Sequence, residues 1–363
     1  NRKHEMKAVK LSLLTSAIIL ASSSYAAGTT FGNTTDGQLT LSGDIELNFN
    51  ARNIDTKNGL KVADSGKSFN QDGRISFAVE GQRTIGLNTL SFKFNPTYKT
   101  EGEVGLDDAW LNLSRNNTNL KVGRFEAADL FPKGQDIFVN NAGDAADDSI
   151  VTPNFYLYEM KEGRGRAKEA GQIMLTQGFG NVTAEVSTVF GKRSDIADIT
   201  KATIDDSLYI RPVVTYTNEG FTISGGMEAQ VLSDTIVVNG KDIGKRIGFG
   251  ATTGYATDNF SVLANYAQMN AEDETDRSIG VNTTLYGIGL GYIRGINDVD
   301  KNSVLNKPSG SLDTFYTSYE FKQVLGFDNF DTYLGAYYSK YSQDDTNKSA
   351  NDLGARLRLK YYF

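Results

Sequence analysis

One irregular stretch, residues 126–164, gathers Asp129, Asp136, Asp144, Asp147 and Asp148 together with Phe131, Phe138, Phe155, Tyr156 and Tyr158. Carboxylates held opposite fixed cations across a narrow aqueous passage create a transverse field, which sorts solutes by charge. The cations able to face these acids are Arg74, Lys93, Lys99, Lys121, Arg356 and Arg358, with Lys133 on the stretch itself. The competing reading is an ordinary exposed acidic loop. Long irregular connections are nevertheless where function concentrates, and the constriction is the expected role.

Bond-breaking chemistry is poorly served. The only histidine is His4 and there is no cysteine. With His4 ahead of a leader, the mature chain lacks thiol nucleophiles, Ser-His-Asp triads and His-based metal sites together. No enzyme, metal or cofactor is expected. Gly287, Gly289 and Gly291 fall on alternate positions with no helix pattern after them, so they make no dinucleotide loop.

The elements that must position these side chains are strands. From Leu353 every second residue is apolar (Leu353, Ala355, Leu357, Leu359, Tyr361, Phe363), while Arg356, Arg358 and Lys360 fall between. Side chains alternate across a strand, so this segment has one greasy and one cationic face. About ten residues is the length a tilted strand needs to cross a membrane. Apolar residues outward and cations inward is the arrangement of a membrane barrel around an aqueous lumen.

The same alternation recurs at 38–52, 73–82, 89–99, 106–115, 118–125, 167–177, 182–190, 208–217, 221–231, 246–255, 260–268, 285–296, 314–321 and 332–339. With 353–363 that makes fifteen strands, and a barrel with both ends on one side needs an even number. Alternating long and short connections place the missing one at 274–281, closed by a turn at Asn282-Thr283-Thr284. The expected fold is therefore an all-β transmembrane antiparallel barrel of sixteen strands, with fourteen as the alternative and the long loop after the fifth strand folded into the lumen. A connection at 342–351 reads as a long loop, and the inner row Arg246, Gly248, Gly250, Thr252 and Gly254 reads as too polar or too small for a packed core. By parity Trp110, Tyr209, Tyr316, Tyr333 and Tyr337 point inward, and the competing place for each is the aromatic girdle at the membrane interface. A soluble sandwich is usually nearer 100 residues and does not carry such inner faces.

Residues 6–26 read as a signal peptide: Lys7 and Lys10 are the basic region, 11–21 the apolar core, and Ser24-Tyr25-Ala26 the cleavage site. Residues 1–5 read as translated upstream sequence, and the barrel domain as 27–363. Removing 1–26 takes away four basic residues and one acid, which moves the net charge from −7 to about −10. That balance argues against a nucleic-acid partner.

Val122-Gly123-Arg124-Phe125-Glu126-Ala127-Ala128-Asp129-Leu130-Phe131-Pro132-Lys133-Gly134-Gln135-Asp136 resembles the corresponding segment of sugar-specific porins, in particular the raffinose-porin-like glycoporins. Leu106-Asp107-Asp108-Ala109-Trp110-Leu111 is similar to the strand before that loop in porins generally. The strand ending in Phe363 resembles the terminal strand of outer-membrane proteins, which the barrel-assembly machinery reads as its signal. The resemblance implies a passive channel of the bacterial outer membrane that contacts lipid outside and passes ions and oligosaccharides inside. A homotrimer follows by analogy. In a sugar channel Trp110, Phe131, Tyr209, Tyr316, Tyr333 and Tyr337 would offer flat surfaces to pyranose C–H faces, while acids and guanidinium groups pair with hydroxyls. The alternatives are a non-specific diffusion porin, an outer-membrane enzyme, and a receptor or adhesin.

Overall fold

Period-two alternation becomes a closed antiparallel wall in the computed structural model, which describes residues 28–62, 65–134, 155–167, 170–192, 203–304 and 307–363. The first eight wall strands are β1 (Gly37–Lys57), β2 (Gly66–Ile85), β3 (Asn88–Lys99), β4 (Val104–Arg115), β5 (Thr118–Arg124), β6 (Ala170–Phe179), β7 (Val182–Lys192) and β8 (Asp206–Asn218). The other eight are β9 (Phe221–Gln230), β10 (Arg246–Ala256), β11 (Phe260–Ala271), β12 (Glu274–Leu285), β13 (Ile288–Val299), β14 (Gly310–Phe321), β15 (Phe330–Gln343) and β16 (Ser349–Tyr362). Each pairs with the next, and β16 pairs with β1 from Asp44↔Tyr362 to Lys57↔Ser349, so the sixteen strands close. Closure leaves no unpaired edge on the wall.

Side-chain parity is as the alternation requires. Outward-facing Leu111, Phe315 and Leu353 are 56–57% exposed, whereas inward Arg358 is 1% exposed and Asp352 fully buried. An apolar outer belt of this extent suits lipid and not water. At one end the connections are tight, among them 86–87, 116–117, 180–181, 219–220 and 286–287. The opposite end carries 125–169, 193–205, 231–245 and 300–309, which makes it the extracellular end. There Thr203–Ile204, Ile236–Val238 and Lys241–Asp242 form a small three-stranded sheet. A further short strand, Thr29–Asn33, pairs with Gly37–Leu41 on the edge of β1.

Three boundaries differ from the sequence reading. The expected turn Asn282-Thr283-Thr284 lies inside β12, and the chain reverses at Tyr286 and Gly287, with φ of 48° and 83°. Two consecutive positive φ values are what a two-residue hairpin needs to follow strand twist, and tyrosine gives no hint of them. The loop expected at 342–351 shrinks to 344–348 because β15 and β16 run on above the apolar belt. β1 and β2 reach 21 and 20 residues, since Lys67, Ser68, Asn70 and Gln71 continue the ladder and the lone apolar residue among them, Phe69, makes no alternation. The leader assigned to 6–26 and residues 1–5 lie outside the described residues.

The inner row of β10 is not open to water as its small residues suggested. A side chain at Gly250 would meet Met160 at 3.1 Å and Leu130 at 3.2 Å, and one at Gly248 would meet the Tyr158 ring. Gly226, Gly280 and Gly295 give similar room to Leu130, Phe131 and Phe155. These inward glycines of β9–β13 form a seat for the connection between β5 and β6, whose described parts are 125–134 and 155–167. Leu130, Phe131, Phe155, Leu157, Tyr158 and Met160 are each at most 2% exposed and share one cluster with Tyr316, Tyr333, Tyr337 and Tyr341 of the wall. The barrel core is thus loop against wall, on one side of the lumen.

Candidate functional site

Polar clamps hold the loop on that seat. Glu228 of β9, 2% exposed, accepts hydrogen bonds from the Tyr158 hydroxyl at 2.6 Å and the Gly163 amide at 2.8 Å. Burial first, then Glu228 and Glu162, push the Tyr158 hydroxyl well above its ordinary range, so it stays a donor. Arg211 of β8 is fully buried, donates to the Ala128 carbonyl at 2.7 Å and lies 3.7 Å from both Glu185 and Glu228. Arg246 pairs with Glu162, to which Tyr209 also donates. Asn265 and Asn282 both donate to the Pro132 carbonyl, Tyr316 to that of Lys133, and Asn297 to that of Tyr156. The glycines admit the apolar side chains, and these donors satisfy the backbone brought in with them.

The two ends of the loop are zipped together. Ala127 donates to the Arg164 carbonyl at 2.8 Å and Arg166 to that of Phe125 at 3.0 Å. Gly165 between the two arginines has φ of 124°, and the Phe125 carbonyl and the Gln172 side chain occupy the space a Cβ would need. That pairing sets Arg164 and Arg166 beside Glu126 and starts a chain of alternating charges over the open side of the lumen. Arg164 joins Asp129 at 3.1 Å to Glu126 at 2.8 Å. Arg166 reaches Asp108 at 2.9 Å, and Lys93 lies 3.8 Å from Asp108 and 3.0 Å from Glu80. Burial alone works against the charge on Arg164, yet Asp129 and Glu126 beside it hold its pKa above the ordinary arginine value.

A second network lines β16, β1 and β2. Arg358 lies 3.2 Å from Glu46 and donates to Asn48, while Arg356 donates to Asn50 and lies 3.8 Å from Asp72. Arg52 pairs with Asp352 at 2.6 Å and Arg74 with Asp107 at 3.2 Å. Among the described residues a loop acid does meet a wall base, Glu162 on Arg246, but neither was among the constriction residues picked from sequence. Asp129 finds its partner on its own loop, and the wall bases Arg74, Lys93, Arg356 and Arg358 have acids of the wall beside them. Long basic side chains span one or two strands, so acids of the wall come within their reach.

The remaining sequence-selected residues fall into three groups. Asp136, Asp144, Asp147 and Asp148 lie outside the described residues, as does Phe138. Lys99 stands away from the narrowing, exposed at the mouth of the β3–β4 hairpin and paired with Glu103 at 2.6 Å. Lys133 is turned back onto loop residue Glu159 at 2.7 Å. Phe131, Tyr209, Tyr316, Tyr333 and Tyr337 face inward but are only 2–5% exposed. Tyr316 lies on Gly291 and Tyr337 on Gly354, their partners on the neighbouring strands, and a ring already covered offers little surface to a solute. Trp110 differs. It is half-buried, packs against Phe125, Ala127 and Met174, and carries the Lys121 ammonium 4.5 Å from its ring centre. Its neighbours on the wall are Lys93, Asp108 and Asn112.

Sequence reasoning passed over Arg164, Arg166, Glu126, Asp108, Arg211 and Glu228. Inward parity was available for Asp108, Arg211 and Glu228, and Gly163-Arg164-Gly165-Arg166 is a visible doublet at the end of the irregular stretch. Their partners come from distant strands, and no local pattern announces those.

The seated loop occupies lumen that would otherwise conduct. Replacing 128–161 with a short Gly-Ser linker is expected to raise single-channel conductance roughly two-fold in a barrel that still assembles. Unchanged conductance would mean that the loop does not narrow the pore.

A family model described as porin-like glycoporin RafY matches residues 40–363. No curated protein sequence matches. Among solved structures, the anion-selective porin from Comamonas acidovorans is 13% identical over 90% of this chain and 100% of its own, with a TM-score of 0.60. OmpT, an outer membrane protein of Vibrio cholerae, is 13% identical over 91% of this chain and 99% of its own, with a TM-score of 0.54. At such identities these likenesses speak for the fold.

Proposed function

Because this chain belongs to the porin-like glycoporin family and forms a diffusion channel of the bacterial outer membrane, we propose that its permeants are oligosaccharides, which it passes down their gradient along with ions. The observation that supports this is the patch around Trp110. A half-buried aromatic ring stands beside Lys93, Asp108 and Lys121, and Lys93 and Asp108 belong, with Arg166 on Asp108, to the chain of paired charges. A pyranose needs both parts: an apolar platform for its C–H face, and charged donors and acceptors for its hydroxyls. A lumen with paired charges but no accessible ring would serve small solutes without preference. A homotrimer, and reading of Phe363 by the barrel-assembly machinery, belong to the same proposal.

Liposome swelling across mono-, di- and trisaccharides tests the class of permeant, and Trp110→Ala tests the site. A stacking contact of this kind contributes about 0.5–1.5 kcal/mol. The substitution is therefore expected to weaken sugar block of the ion current several-fold, up to about ten-fold. Salt conductance should barely change, because the paired charges stay in place. If the variant binds sugars as wild type does, the ring is a packing residue and the channel is a general diffusion porin.

A further inference from the structure

The outer surface of β12–β16 carries a built groove. Strand register aligns Thr283, Leu290, Thr317, Ala336 and Ala355 in one outward row, and Val281, Tyr292, Phe315, Tyr338 and Leu353 in the row nearer the extracellular end. Thr317, Ala336 and Ala355 are small, so the wall is sunken between the large side chains of the adjoining rows. Thr317 donates its hydroxyl to the Gly289 carbonyl at 3.0 Å, which satisfies it within the wall. The resulting cavity has a volume of about 590 Å³ and is lined mainly by apolar groups. Tyr292 and Phe315 stack above it with ring centres 4.7 Å apart.

One row further toward the extracellular end the chemistry changes abruptly. The outward residues there are Arg294, Asp313, Lys340 and Asn351, in register across β13–β16. Tyr292 donates to Asp313 at 2.6 Å and Tyr338 to Asn351 at 3.0 Å, so the aromatic row points its hydroxyls into this polar row. Arg294 pairs with Asp313 at 3.2 Å. Lys340 is exposed and has no ion pair among the described residues. At the upper border of a lipid-facing belt an outward ammonium lies at the level of the lipid headgroups, where an anionic group meets it favourably.

We propose that this surface binds a phosphate-bearing lipid of the outer leaflet. One acyl chain lies in the groove over Thr317 and Ala336, and the phosphate sits against Lys340, while Arg294, two strands away, offsets the Asp313 carboxylate that lies between them. Charge complementarity selects this occupant. A second barrel would bring its own apolar belt to the groove and nothing for Lys340, whereas an uncharged lipid would fill the groove and leave the ammonium unmet.

Native mass spectrometry of the delipidated, full-length barrel tests the site, with bisphosphorylated lipid A and its dephosphorylated form as probes. Wild type is expected to retain the phosphorylated lipid about five-fold better, the preference one lysine gives near an anionic surface. Lys340→Gln should remove that preference. Ala336→Leu should lower retention of both lipids while leaving ion conductance unchanged, and Thr317→Leu provides a second, independent filling of the groove. Equal retention of the two lipids by wild type, or an undiminished preference in Lys340→Gln, would overturn the proposal. So would a change of oligomeric mass in either groove-filling variant without loss of lipid, since the groove would then be an interface between copies.

Discussion

Glu228→Ala is expected to release the lumenal loop. The Glu228 carboxylate accepts from the Tyr158 hydroxyl at 2.6 Å, the Gly163 amide at 2.8 Å and the Glu162 amide at 3.3 Å. It is also one of the two carboxylates 3.7 Å from Arg211, a guanidinium with no solvent exposure. Removing one partner of a buried charged pair typically costs about 3–5 kcal/mol, because the other charge stays buried and unmatched. Here the loop can move and the wall cannot, so the cost should appear as detachment of residues 156–164 and not as loss of the barrel. Trypsin should then cut at Lys161 or Arg164 in the assembled channel, and single-channel records should become noisier and larger in amplitude. Glu228→Gln keeps an acceptor for Tyr158 and should show a weaker form of the same phenotype. If Glu228→Ala resists trypsin as wild type does, the apolar seat on Gly226, Gly248 and Gly250 holds the loop without the carboxylate.

Gly43→Val strikes the closing seam. The Gly43 amide donates to the Phe363 carbonyl at 2.8 Å, and the Gly43 carbonyl accepts from the Phe363 amide at 3.0 Å. The Phe363 ring lies over this glycine and meets Phe77 edge-on, with centres 5.7 Å apart. A Cβ at position 43 would reach the Phe363 ring at 2.5 Å and would collide with the Ser76 carbonyl. A ring can turn aside, but a ladder carbonyl cannot without opening the pairing of β1 with β2. Overpacking of this kind costs about 1–3 kcal/mol in a core able to relax, and the seam must also give up ladder hydrogen bonds. The expected result is little folded barrel by heat-modifiability on gels and a lowered urea midpoint for what folds. Adding Phe363→Ala removes the ring half of the clash and should restore part of the yield. Normal folding of Gly43→Val would show that the seam tolerates a side chain.

Which face each residue occupies was legible from sequence, because alternation is a property of the strand backbone and is carried by every second residue. Leu357 outward and Arg358 inward needed nothing beyond the pattern of 353–363, and the strand count followed from parity and closure. The place of the long connection, after the fifth strand, was equally readable because alternation stops there. What lies across from a residue was not legible. Tyr316 and Tyr337 point inward as their parity says, but Gly291 and Gly354 beneath them are supplied by register with other strands. The inward glycines read as open lumen until Leu130, Tyr158 and Met160 came to rest on them, from positions about 90 to 120 residues earlier in the chain. Asp129 carried its charge in the sequence, but its partner Arg164 comes beside it only because the loop folds back on itself. Pairing of this kind follows from three-dimensional closure, and the period of a strand carries no record of it.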